Sequence, residues 1–249
     1  MSTSSWPVWP ALIAALLLAL LATSGCAVWR IGQARDLAQR SEPLQHAPAD
    51  AALRLLIVGD STGVGTGASD PRHSLAGLLA RAYPRLHIDN RASDGATFAR
   101  VIGQLEATTG RYDLVLVQAG GNDVIRLRSL DDVRADIDRV AALARARGGR
   151  VLLMPAGNVG NAPFFFAPVS WFMTSRARSM HGFVREAAAR HDAVYVNLFK
   201  EKADDPFAQQ PGLNAADGLH PSDAGYRVWF DELMAQGRLE PVLAPAAAR

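Results

Sequence analysis

A serine near one end of this sequence and an Asp–His pair near the other form a set able to break an acyl bond. Ser61 follows an apolar run, residues 53–58, that ends in Gly59-Asp60, and His220 lies near the other end of the chain in Asp217-Gly218-Leu219-His220. A serine hydroxyl is a poor nucleophile at neutral pH. It needs an adjacent base to take its proton, and the base needs a third group to fix its tautomer. With two residues between them, a turn lets the Asp217 carboxylate reach His220 Nδ1 and leaves Nε2 facing Ser61. Pro221, with its locked φ, stiffens the backbone that presents the imidazole. Attack on a carbonyl builds negative charge on oxygen, and each preset donor around it is worth about 3 kcal/mol. The candidate oxyanion donors are the backbone N–H of Ser61, the N–H of Gly95 and the side-chain amide of Asn122. Glycine permits close approach and unusual φ at the second position, and asparagine donates at the third without adding charge.

Taken singly, each of these residues has an ordinary explanation. A serine after a strand is usually a cap or a turn residue, and five other histidines (His46, His73, His87, His181 and His191) compete with His220. The joint pattern outweighs that explanation only if the chain brings the residues to one place. Strand-like runs fall at 53–58, 86–90, 114–118, 150–155 and 193–197, with helical patterns near 73–83, 96–108, 131–147, 176–190 and 222–236. Asp131 and Ser222 are the expected N-caps of the third and fifth helices. Strand then helix, repeated, predicts a parallel sheet covered on both faces, with ligands outside the carboxyl ends of its strands. Ser61 follows the first run, Asp94 and Gly95 the second, Gly121 and Asn122 the third, Asn158 the fourth, and Asp217 and His220 the fifth. All of them converge on one edge.

Ile57-Val58-Gly59-Asp60-Ser61, Gly95 in its loop, Gly120-Gly121-Asn122-Asp123 and Asp217-Gly218-Leu219-His220-Pro221 resemble, in order, the four blocks of the SGNH hydrolases, also called GDSL-like esterases and lipases. The resemblance spans about residues 53–236. It implies a three-layer flavodoxin-like α/β fold with a five-stranded parallel sheet and no metal or organic cofactor. It also implies Ser61, Gly95, Asn122 and His220 as the named set, Asp217 completing the triad, and a small-molecule or lipid acyl ester as substrate. Two positions depart from the pattern. The first block reads Gly-Asp-Ser-Thr without the usual leucine, and Asp94 stands beside Gly95, near the expected oxyanion.

Two other readings compete. Gly63, Gly65 and Gly67 after the first strand, with Asp89 at the end of the second, could belong to a dinucleotide-binding loop, which would leave Ser61 and the Asp217–His220 pair without a purpose. An idle SGNH-like domain that binds acyl or glycan groups is the second. Asp60 and Asp123 are read as hydrogen-bonding local backbone, with no chemical step. Cationic side chains are almost all arginine, scattered between acids at a net charge of +2, so no basic stripe suited to nucleic acid is present. The one cysteine, Cys26, excludes an intrachain disulfide and a cysteine-rich zinc site.

Residues 6–29 carry no charge, and residues 11–22 are nearly pure Ala, Leu and Ile. A helix of roughly 20 such residues crosses a bilayer core. Residues 1–29 are therefore expected to be a membrane anchor or signal segment, with Trp6, Trp9 and Trp29 at the interfaces and Arg30, Arg35 and Arg40 following. The expected location is a single span in a bacterial inner membrane. The alternative is an exported lipoprotein cleaved before Cys26, where Thr23-Ser24-Gly25 stands ahead of the cysteine. The remaining expected units are a linker or juxtamembrane helix at 30–52, the hydrolase domain at 53–238 and a flexible Ala/Pro-rich tail at 239–249. Residues 158–173 are unusually apolar, and Asn158, Phe165 and Trp171 are the candidate substrate contacts of a lid or acyl-chain wall.

Overall fold

Apolar side chains alternating between two faces of one sheet build the centre of the molecule. The computed structural model describes residues 8–247. Five parallel strands, β1 (Leu53–Gly59), β2 (Leu86–Asn90), β3 (Tyr112–Gln118), β4 (Gly148–Leu153) and β5 (Val194–Tyr195), lie in the order β2-β1-β3-β4-β5. Leu55 aligns with Ile88 on one side and with Leu114 on the other. The helices are α1 (Val8–Arg40), α2 (Ser61–Val64), α3 (Leu75–Ala82), α4 (Phe98–Glu106), α5 (Gly121–Ile125), α6 (Leu130–Arg147), α7 (Val169–Arg190), α8 (Pro206–Gln209), α9 (Asp223–Gly237) and α10 (Leu239–Leu243).

Leu56, Val58, Val115, Val117, Val151 and Leu153 pack against α4, α6 and α7, while Leu55, Ile57, Leu114, Leu116 and Leu152 face α3, α9 and α10. Both faces are covered, which is why the strands read as continuous apolar runs. From β1 the chain moves outward to β2 and then returns to the other side of β1 as β3. The order reverses there, and a crevice opens beyond the carboxyl ends of β1 and β3.

Several sequence expectations need correction. The cap of α6 is Ser129, whose side chain accepts from Asp132 N–H. Asp131 sits instead in the first turn, where its charge favours the positive end of the helix. Ser222 caps α9 as expected. Helix α7 starts at Val169, well before residue 176, and takes Trp171, Phe172 and Met173 into its first turns. Residues 239–247 do not form a loose tail: Leu239, Leu243 and Ala246 are buried in the core beside α9, and Ala246 C=O accepts from Arg85 N–H at 3.0 Å. The Ala/Pro composition obscured the four-residue spacing of Leu239 and Leu243, which puts both on one helix face.

Helix α1 runs without a break across the expected boundary at residue 30. Met1–Pro7 and most side chains of the apolar run lie outside the described residues, and among the described residues no helix is long and apolar enough to cross a membrane.

If the C-terminal segment is core, Leu243→Ala costs about 2–4 kcal/mol, through lost transfer energy and the cavity left behind. Urea unfolding should show a lower midpoint at unchanged slope, whereas a frayed tail would leave the midpoint where it was.

Candidate active site

Gly59 turns the chain sharply as β1 ends. Its φ is +151°, and a Cβ there would lie 1.8 Å from the Gln118 carbonyl oxygen, so no other residue fits between β1 and β3. Asp60 then caps α2, its Oδ1 accepting from Thr62 N–H at 2.9 Å and from Thr62 Oγ–H at 2.7 Å. Ser61 is therefore the first residue of a short helix, held at the carboxyl edge of the sheet.

The last loop meets it from the other side. Asp217 is fully buried, and its Oδ1 accepts from the backbone N–H groups of Leu219 at 2.9 Å and His220 at 3.1 Å. Its Oδ2 lies 2.5 Å from His220 Nδ1, and His220 Nε2 lies 2.9 Å from Ser61 Oγ. A carboxylate only accepts, so Nδ1 carries the proton, Nε2 is free to accept, and the Ser61 hydroxyl donates to it. Burial alone pushes the Asp217 carboxyl up, but the hydrogen bond and charge of His220 and the two backbone donors overcome it and hold the group below its ordinary value. Asp217 thus remains ionised behind the imidazole.

The remaining named residues border the same crevice. Gly95, at φ +71°, lies beneath the Arg126 guanidinium, which a Cβ would approach to 2.8 Å, and Asn122 is the second residue of α5, in the first turn beyond β3. Both line a cleft of about 420 Å³ that also contains Ser61 and His220. The Ser61 and Gly95 amides have no backbone acceptor among the described residues, which leaves them available to a ligand oxygen. Asp94 accepts from Thr66 Oγ–H at 2.7 Å, so it ties the Gly95 loop to the serine loop. Asp123 accepts from Phe98 N–H at 3.1 Å, supplying the cap that Thr97 does not give α4.

Of the three candidate substrate contacts, Asn158 lines the cleft, but its polar atoms are used locally: Oδ1 accepts from Gly160 N–H and Nδ2 donates to the Lys200 carbonyl. Phe165 packs against the core under α7, and its neighbour Phe164 faces the cleft instead. Trp171 is 71% exposed and lies outside the cleft. The turn through residues 162–168 decides which of three consecutive phenylalanines faces inward, and sequence does not encode that choice legibly.

Several lining residues escaped the sequence reading. Arg126 stands four residues after Asn122, a spacing that shares a helix face. Ile31, Ala34, Arg35 and Ala38 of α1 line the cleft as one helical stripe, visible in the sequence as a spacing but without a visible target. The glycines of the rival nucleotide reading are spent on packing. A Cβ at Gly65 would strike Ser74, and one at Gly67 would strike Pro221 and His220, while Asp89 accepts from the Tyr112 hydroxyl.

A doubly wound sheet with hydrogen-bonded serine, histidine and aspartate at its switch point is the architecture of the SGNH class of hydrolases. The profile of the GDSL-like lipase/acylhydrolase family matches residues 57–228, and the chain belongs to that family. Esterase TesA of Pseudomonas aeruginosa is 28% identical over 177 residues, covering 69% of this chain and 81% of that protein. The crystal structure of TesA shares the fold at TM-score 0.60 and 24% identity, over 76% of this chain and 98% of that one. Axe2, an acetylxylan esterase from Geobacillus stearothermophilus, shares it at TM-score 0.54 and 19% identity, over 75% and 94%.

Burial raises the Asp60 carboxyl from its ordinary 3.8 to about 6, despite the opposing Thr62 hydrogen bonds. The folded value lies above the unfolded one, so the contribution to stability is fully present below the unfolded pKa and is lost as pH rises through the folded value. Asp60→Asn keeps an acceptor for Thr62 and removes the titration. Its stability relative to wild type should therefore rise, by on the order of 2 kcal/mol, between about pH 4 and pH 7. Denaturant unfolding across that range checks it, and parallel curves for the two proteins would refute it.

Proposed function

We propose that the chain is a serine esterase that cleaves carboxylic esters through an acyl-enzyme. The observation that carries this reading is the 2.9 Å contact of Ser61 Oγ with His220 Nε2, backed by Asp217 at 2.5 Å. Ser61 Oγ attacks the ester carbonyl as its proton passes to His220 Nε2, and Asp217 stabilises the imidazolium that forms. The oxyanion is held by the Ser61 and Gly95 amides and the Asn122 side chain. Collapse breaks the acyl–alcohol bond, and His220 returns the proton to the departing alkoxide. Water then repeats the sequence on the acyl-enzyme: His220 takes its proton, the acid leaves, and Ser61 regains its hydrogen. Both relatives named above are called esterases, which supports the bond class. The oxyanion donors are neutral, as suits a charge that exists only during the reaction.

The uncharged run through residues 6–29 anchors the domain to a membrane in this reading. Its support is composition and the continuity of α1 from that run into the wall of the cleft.

Hydrolysis of p-nitrophenyl acetate tests the chemistry. Ser61→Ala should lower kcat by about a thousandfold or more, and Asn122→Ala by about a hundredfold with KM little changed, because its amide acts on the transition state. A Ser61→Ala protein with the wild-type rate excludes the acyl-enzyme, and a wild-type protein without turnover favours the idle acyl-binding domain.

A further inference from the structure

The large exposed apolar side chains of the domain gather in one place. Phe166, Val169, Trp171 and Phe172 are 54%, 48%, 71% and 52% exposed and occupy the stretch that leads into and opens α7. Single exposed apolar residues need no explanation, but a contiguous group of this size on a folded domain marks an interaction surface. Helix α1 reaches its edge: Arg30 donates to the Pro163 carbonyl, and its guanidinium lies 5.0 Å from the Phe166 ring centroid. Trp29 and Ile31, on either side of Arg30, are also exposed. At the other edge the Arg176 guanidinium lies 5.9 Å from the Phe172 ring and donates to the Arg128 carbonyl, next to exposed Leu127. From residue 139 to residue 185 the chain has no aspartate or glutamate, so the segment that carries the patch contributes arginine as its only permanent charge.

We propose that this face lies against a lipid bilayer, with Phe166, Val169, Trp171 and Phe172 in the interfacial layer and Arg30 and Arg176 at headgroup phosphates. Aromatic rings mixed with guanidinium groups suit the boundary between headgroups and acyl chains. A bilayer is favoured over a protein partner because the patch begins where the uncharged run of residues 6–29 meets the domain, so one surface serves both. Resting on the hydrolase reading above, the placement has a functional consequence. Ile31 and Phe164 line the catalytic cleft beside the patch, so an ester whose alkyl part sits in the membrane reaches Ser61 without crossing water.

The full chain carrying Cys26→Ser provides the test. Trp171→Cys, or Asp192→Cys ahead of β5 at the far edge of the sheet, is labelled with an environment-sensitive fluorophore. Each protein is then mixed with phosphatidylcholine–phosphatidylglycerol vesicles containing a nitroxide lipid. Emission from position 171 should shift to the blue and be quenched, while position 192 stays water-like. Water-like emission at 171 from vesicle-bound protein overturns the proposal, as does a failure to bind vesicles. A blue shift that needs no lipid and grows with protein concentration makes a second copy the occupant and overturns it too. In parallel, Trp171→Glu with Phe172→Glu should leave p-nitrophenyl acetate hydrolysis unchanged and lower hydrolysis of a vesicle-embedded long-chain ester about tenfold, equivalent to about 1.4 kcal/mol of anchoring. Equal rates on the embedded ester contradict the proposal. A wild-type chain inert towards p-nitrophenyl acetate overturns the hydrolase reading alone and leaves the fluorescence result to decide the lipid contact.

Discussion

The hydrogen bond between His220 Nε2 and Ser61 Oγ joins residues 159 apart in sequence, and much of the structure around the cleft acts to maintain it. Neither side chain can be placed by its own neighbours alone. Ser61 is fixed by the end of β1 and the Asp60 cap, and His220 by a loop that follows the last strand. Separate ties hold the two loops together. Tyr226, fully buried in α9, donates to the Thr66 carbonyl at 2.8 Å, and Asp223 accepts from both the backbone N–H and the hydroxyl of Ser69. Gly67 has no side chain because His220 and Pro221 fill the space where one would be. Each tie is worth about 1 kcal/mol net. Their combined effect is to hold Ser61 Oγ and His220 Nε2 in register before any ligand arrives, as the proposed reaction requires of its positioning.

The acidic residues of the motifs divide the labour. Asp217 is paired with the imidazole and remains ionised. Asp60, Asp94 and Asp123 hold backbone or neighbouring loops: Asp60 caps α2, Asp94 fastens the Gly95 loop to Thr66, and Asp123 caps α4 from the start of α5. The pairs Asp60-Ser61, Asp94-Gly95 and Asn122-Asp123 thus each set a candidate ligand-facing residue beside one that serves the scaffold. Asp94, beside the expected oxyanion, is turned to a hydroxyl donor and acts there as a structural tie.

What could be read in the sequence follows from the range of the interactions involved. The strands, the switch-point cleft and the set of Ser61, Gly95, Asn122, Asp217 and His220 leave local signatures, because tight turns and buried strands restrict residue type where they occur. Side-chain facing did not: Phe164, Phe165 and Phe166 are identical in composition, yet one lines the cleft, one packs in the core and one meets solvent. Helix α1 was legible as a helix beyond an apolar run, but its contact with the cleft, like that of Arg30 with Pro163, joins segments more than a hundred residues apart and leaves no local trace. The C-terminal segment failed for the opposite reason, since an Ala/Pro-rich composition concealed two leucines whose burial only the groove beside α9 explains.

Everything in the proposed reaction follows from the Ser61 hydroxyl being activated by the imidazole it touches. Mass spectrometry of the peptide modified by a fluorophosphonate measures this most directly, because the phosphorus electrophile is trapped by an activated serine and by little else. A single phosphonyl adduct on Ser61 is expected in the wild-type chain and none in His220→Ala. An adduct on another residue, or equal labelling of Ser61 without the histidine, would contradict it.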